Sequence, residues 1–161
     1  MELILASASP RRRELLDQIG VAHLCEPANI DESRLAGEKP EDYVLRMARE
    51  KAAAVASRHS GGSLAVLAAD TSVVIDDDVL GKPGDHFEAL GMLARLSGRS
   101  HRVLTGICLN TQRGEVLSEM VETKVHFLQL TREQCESYLA TPEPWDKAGG
   151  YGIQGLAGAF V

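Results

Sequence analysis

The chain has 161 residues, 44% of them hydrophobic, which is enough to bury one real core and sets the expectation of a single domain over residues 1–161. Its formal net charge of −6 argues against general binding to nucleic acid or to anionic membranes, both of which need a basic face. Cys25, Cys108 and Cys135 are odd in number and far apart, so they read as free thiols of a reducing compartment. The histidines show no metal-ligand spacing, no apolar run approaches the ~20 residues of a membrane span, and the start is unlike a signal peptide, so a cytoplasmic protein is expected.

The first apolar run, residues 3–6, predicts a strand that feeds a helix through Ser7-Ala8-Ser9-Pro10-Arg11-Arg12-Arg13. Ser9 suits an N-cap and Pro10 the first helical position. Leu15, Leu16 and Ile19 predict an apolar stripe, with Gly20 as the stop. Arg11, Arg12 and Arg13 crowd the first turn, where the helix dipole disfavours cations by ~0.3–1 kcal/mol each. Cations, helix-start amides and the hydroxyls of Ser7 and Ser9 together make a seat for an anion. The alternative is a solvated basic turn whose arginines pair with carboxylates elsewhere. On an acidic molecule, a local positive spot favours a small anion over a polymer.

Residues 21–25 predict a second strand, and the polar segment 27–39 carries the acidic pair Asp31-Glu32. Pro40-Glu41-Asp42 opens a long helix running to about Arg58, with Val44, Met47 or Ala48, Lys51 and Val55 on one face. Lys51 is the misfit on that stripe. It either snorkels into water or reaches across the face into a polar cleft. After a turn at 60–63, residues 64–69 form an apolar run buried on both faces, interrupted at Asp70-Thr71 and resumed at 73–75. An aspartate inside such a run must be paired or functional, because burying a bare carboxylate is prohibitive.

Asp76-Asp77-Asp78 reads as a solvated turn, and residues 80–84 as a second turn carrying Lys82. Asp85 caps a helix with Ala89, Leu90, Leu93 and Leu96 at helical spacing, ended by Gly98. Residues 103–109 and 116–128, joined by a turn at 111–114, predict an antiparallel hairpin. Thr131 caps a helix that ends near Ala140. The glycine-dense stretch 144–155 follows, either a backbone built for close approach to a ligand or an ordinary connector. Phe160-Val161 reads as the beginning of a strand.

The arginine turn, Asp31-Glu32, Lys51 with Lys82, and Asp70 interrupt this pattern. Cations beside carboxylates, with few aromatics, suit a polyphosphate held with a divalent metal such as Mg²⁺ or Mn²⁺. Such ions need only one or two protein carboxylates, which Glu32 and Asp70 could supply. Neither the P-loop nor the dinucleotide-binding glycine fingerprint is present.

These residues are recognisable as a set. Ser7-Ala8-Ser9-Pro10-Arg11-Arg12 with Glu14-Leu15-Leu16, Asp31-Glu32, residues 48–52, Ala69-Asp70-Thr71, Gly81-Lys82-Pro83 and residues 146–155 resemble, in order, the motifs of the Maf family of nucleoside triphosphate pyrophosphatases. The resemblance implies a mixed α/β fold like that of Maf and inosine triphosphate pyrophosphatases. That fold has a long twisted sheet, flanking helices and two lobes around a central cleft, and is usually dimeric. It implies metal-dependent hydrolysis of a nucleoside triphosphate to the monophosphate and pyrophosphate. Asp70 falls on the family's proton acceptor and Glu32 on the acidic metal-associated position. Arg12, Lys51 and Lys82 fall on basic positions that hold the triphosphate.

Arg11, Thr71 and Gln154 match the branch that hydrolyses dTTP and UTP, where the 7-methyl-GTP branch has tryptophan, glutamine and glutamate. An amide at Gln154 can donate to and accept from a pyrimidine's imide edge, or it can bond only backbone. The family usually continues past a Gly-Leu-Pro segment into a further strand and helix, which this sequence is expected to lack. Nucleotide-binding regulation linked to the division septum, with little catalysis, is the alternative function that the resemblance leaves open.

Overall fold

Leu3, Ile4 and Leu5 do form a strand, β1 (Glu2–Leu5), and the chain builds a sheet outward from it. The computed structural model describes every residue except Met1, Gly62 and Gln112. After β1 come α1 (Pro10–Gln18), β2 (Leu24–Cys25), α2 (Pro40–Ala56), β3 (Leu64–Ile75) and β4 (Asp78–Leu80). Then follow α3 (His86–Leu96), β5 (Ser100–Thr111), β6 (Glu115–His126) and α4 (Arg132–Leu139). Short 3-10 segments at Glu143–Asp146, Ala148–Gly150 and Leu156–Phe160 complete the described chain.

The six-stranded sheet has the order β2-β1-β3-β5-β6, with β4 paired to β3. β1 runs parallel to β2 and β3, with Ile4 opposite both Leu24 and Val66, whereas β4 folds back antiparallel on β3. β5 and β6 are neighbours joined by residues 112–114, too few for a crossover, so they form a hairpin. The result is the mixed α/β class expected from the sequence. The expected turns at 60–63 and 111–114 each include a residue, Gly62 and Gln112 respectively, outside the described set.

The chain divides into two compact units. The first takes residues up to Asp70 together with Thr105–Val121, and its core gathers Ile4, Ala6, Ala48, Ala52, Val55, Val66 and Cys108. The second takes Thr71–Leu104 and Glu122–Val161, around Val73, Leu93, Leu96, Phe127, Tyr138 and Tyr151. The stripe on α2 is buried as its spacing predicts, at Val44, Met47, Ala48, Ala52 and Val55. Asp85 caps α3 by accepting from the Glu88 amide at 2.8 Å, and Thr131 caps α4 in a capping box with Gln134.

Several expectations need correction. No residue of α1 is fully buried: Leu16 is half-buried, Leu15 is 51% exposed, and Ile19, just past the helix, is 71% exposed. Ser9 is the N-cap by backbone geometry only; its hydroxyl makes no cap bond, and its amide donates instead to Ser7 Oγ at 3.1 Å. The second strand is reduced to Leu24–Cys25, because the Val21 amide closes the end of α1 by donating to Leu16 O at 3.0 Å rather than joining the ladder. β3 passes through Asp70 and Thr71 without interruption. Asp76 and Asp77 form the expected exposed turn, a tight β3–β4 connection with φ of 51° and 62°, whereas Asp78 already belongs to β4. The charges of Asp76 and Asp77 are taken up by Arg99 at 2.5 Å and Arg102 at 3.4 Å. Phe160 closes a 3-10 segment and packs edge-on against Tyr138 and Phe127 instead of starting a strand.

Candidate functional site

β3 is buried along almost its whole length, and Asp70, near its middle, is 8% exposed. A carboxylate there requires compensation. Lys51 supplies it. Sitting beside the buried stripe of α2, Lys51 points its Nζ to within 2.7 Å of Asp70 Oδ1, with the side chain only 14% exposed. The same ammonium contacts Glu32 Oε1. Of the two readings of Lys51, the polar one therefore holds: it bridges two acids, one from β3 and one from the 27–39 segment.

Arg12 turns back from the first turn of α1. Its Nη1 donates to the Ala69 carbonyl at 2.9 Å and to Ser7 Oγ at 3.2 Å, so Ser7 accepts from both Ser9 and Arg12. Burial pulls the Arg12 guanidinium below its ordinary pKa; the charges of Asp70 and Glu32 oppose that shift, while neighbouring Arg11 adds to it. Ser7, Arg12, Glu32, Lys51 and Asp70 thus lie together within the first unit, their formal charges balanced. Arg11, half-buried, has no carboxylate within ion-pair reach among the described residues.

Thr71, Lys82 and Gln154 belong to the second unit, and all three are exposed. Thr71 follows Asp70 on β3 and points to the opposite face, as strand alternation requires. Lys82 has no ion pair among the described residues. Gln154 sits in a tight turn closed by Gly155 N on Gly152 O at 3.0 Å. At Gly149 the glycine-dense stretch serves packing within this unit. Its φ is +73°, a Cβ there would crowd Val73 at 3.0 Å, and its amide donates to Gly81 O at 3.0 Å.

Sequence reasoning missed Tyr43 and Arg46 on α2. Tyr43 Oη donates to the Glu32 carbonyl at 2.6 Å, and Arg46 forks onto Glu38 at 2.6 and 2.9 Å while donating to Ser33 O at 2.9 Å. The only signal was their spacing with Glu50 on one polar face of α2.

Glu32 and Asp70 converge on a single cation, at present the Lys51 ammonium. Two hard oxygen donors aimed at one point fit a Mg²⁺-type ion that takes its remaining ligands from water and phosphate. No group of three or more His, Cys, Asp or Glu suited to a metal occurs among the described residues. No helix among them is long and apolar enough to cross a membrane.

A mixed α/β protein that sets a buried carboxylate between a guanidinium and an ammonium has the chemistry to hold a phosphorylated ligand and to accept a proton beside it. The chain belongs to the Maf-like protein family, whose model matches residues 2–161. It is 55% identical over 163 residues to a protein of Anaeromyxobacter sp. (strain Fw109-5) named dTTP/UTP pyrophosphatase, covering 99% of this chain and 77% of that one. It is 51% identical over 160 residues to a protein of the same name from Symbiobacterium thermophilum, covering 99% and 81%. Among solved structures, the Staphylococcus aureus Ham1 protein shares the fold with a TM-score of 0.53 at 14% identity, covering 79% of this chain and 72% of that one.

Proposed function

We propose that this chain hydrolyses dTTP and UTP, and modified pyrimidine nucleotides of the same shape, to the nucleoside monophosphate and pyrophosphate. Relatives about half identical over nearly the whole chain, named for that activity, support the reading. The observation that carries it is Asp70, a buried carboxylate on a continuous strand with Lys51 at 2.7 Å and Arg12 bonded to the preceding carbonyl.

In this reading the oxygen of a water attacks the α-phosphorus, the bond from that phosphorus to the bridging oxygen breaks, and pyrophosphate leaves. Asp70 takes the water's proton as general base. Arg12, Lys51 and Lys82, with the hydroxyls of Ser7 and Ser9, bind the triphosphate, and the cations neutralise the departing charge. Lys51 exchanges a carboxylate partner for a phosphate oxygen as the nucleotide arrives. Arg11 and Gln154 select the pyrimidine, Gln154 by donating and accepting at the imide edge. Glu32 and Asp70 would hold a divalent cation, Mg²⁺ or Mn²⁺, whose chemistry is to offset phosphate charge. The protein works as a cytoplasmic homodimer.

The test is incubation with dTTP and UTP in the presence of Mg²⁺ or Mn²⁺, with products identified by chromatography. Monophosphate and pyrophosphate are expected; diphosphate and orthophosphate would overturn the assignment. Asp70→Asn should lower kcat by about a hundredfold or more while leaving nucleotide affinity in place. Tight nucleotide binding without turnover under any divalent metal would return the regulatory reading instead.

A further inference from the structure

Glu32 lies in a segment that has no regular structure, between residue 27 and the start of α2, and its carboxylate is half exposed. A side chain on such a segment gains a fixed position only from tethers. The tethers here come from one face of α2. Tyr43 Oη holds the Glu32 carbonyl itself at 2.6 Å. Arg46 holds the next carbonyl, of Ser33, at 2.9 Å, and grips both oxygens of Glu38 further along. Its guanidinium lies 5.7 Å from the Tyr43 ring centroid, so the two tethers brace each other.

We infer that Tyr43 and Arg46 are positioning residues for the acidic side of the nucleotide site, fixing the Glu32 carboxylate beside Asp70 so that both can meet one cation. The inference rests on the reading of Glu32 and Asp70 as that site's acids. Both tethers suit the task chemically. The Tyr43 hydroxyl offers a single donor that matches the single carbonyl it holds. Hydrogen bonding from Arg46 holds Glu38 down at about 2, so the fork stays ionised. An arginine is needed at position 46, because a lysine has one point charge to offer where two carboxylate oxygens and a carbonyl must be held in one plane.

The test is a Mn²⁺ titration of the full chain, following free Mn²⁺ by electron paramagnetic resonance, on wild type, Tyr43→Phe, Glu32→Gln and the double variant. If Tyr43 acts through Glu32, Tyr43→Phe weakens Mn²⁺ binding about three- to tenfold, the scale of one hydrogen bond. In the Glu32→Gln background the same change should then have no effect. Equal effects in both backgrounds, an unchanged Tyr43→Phe, or no Glu32-dependent Mn²⁺ binding in the wild type would each overturn the inference. Arg46→Lys provides a second route with the charge kept: it too should weaken Mn²⁺ binding only when Glu32 is present, and an equal loss with Glu32→Gln would count against it. Coupled Mn²⁺ binding with no turnover of dTTP or UTP would overturn the proposed function and leave this inference standing; turnover with an additive cycle would do the reverse.

Discussion

Glu143 offers a sharp test of how the C-terminal part of the second unit is held. Its Oε2 accepts from Tyr138 Oη at 2.5 Å and from the Ala157 amide at 3.2 Å, and its Oε1 accepts from the Leu156 amide at 2.9 Å. Glu143→Gln keeps the size but leaves one acceptor atom. With the carbonyl kept on the Tyr138 side, the Leu156 N–H faces an NH₂ group and loses its partner. Hydrogen bonds to a charged group are worth ~1.5–3 kcal/mol, and the partial exposure of Glu143 places the loss near the lower end, about 1.5–2 kcal/mol. For a chain of this size that corresponds to a fall in Tm of about 3–8 °C.

The pH dependence identifies the cause. Burial pushes the Glu143 carboxyl up, but the Tyr138 hydroxyl, the Leu156 and Ala157 amides and the charge of Lys147 together bring it below its ordinary value of 4.5. A carboxyl depressed in the folded state contributes stability above its unfolded pKa and loses it as pH falls through the folded one. Wild type should therefore exceed Glu143→Gln by a constant margin above about pH 4.5, and the margin should close as pH falls further. Thermal unfolding followed by circular dichroism across pH 2–8 measures this. Equal Tm values at pH 7, or a margin that persists unchanged to the lowest pH, would refute the reasoning. A Cβ on Gly155 would run into the same carboxylate.

Two further outcomes are expected in the second unit. His101, 3% exposed, has Nε2 at 2.6 Å from the Tyr151 hydroxyl and stands edge-on to Phe127, while Nδ1 has no partner among the described residues. Burial lowers its pKa from 6.5 to about 4, so the unfolded chain takes the proton first; stability should decline as pH falls from 6.5 to about 4, then level off. Urea unfolding at several pH values should show this slope, and His101→Phe should flatten it; an unchanged slope counts against the account. Thr131→Ala removes the capping box of α4, in which Thr131 Oγ1 accepts the Gln134 amide at 3.2 Å and Gln134 Oε1 accepts the Thr131 amide at 2.8 Å. It should cost about 1 kcal/mol in urea unfolding, with Thr131→Ser close to wild type.

What the sequence made legible was mostly local. The α2 stripe, the caps at Asp85 and Thr131 and the apolar run of β3 are each set by neighbours within a turn or two of chain. Asp70 stood out for the same reason, as a lone acid among residues that do not tolerate one unpaired. Leu15 and Ile19 misled because helical spacing shows that a stripe exists but not that anything covers it. Residues 21–23 misled because apolar character cannot reveal that an amide is already bonded to the end of a helix. Tyr43 and Arg46 were invisible because their partners are main-chain carbonyls and Glu38 of an irregular segment, whose path follows no periodicity. Arg12 stood out as a cation in a first helical turn, whereas its bond to the Ala69 carbonyl could be seen only once β1 and β3 were paired.

The Lys51 ammonium, seated between Glu32 and Asp70, makes the resting molecule electrically self-sufficient at that spot. A protein whose acids are balanced only by a bound ion comes apart under a chelator, because ion affinity is then part of folding. Here a side chain of the protein's own second helix does that work, so the unfolding temperature is expected to be the same after dialysis against EDTA as before it.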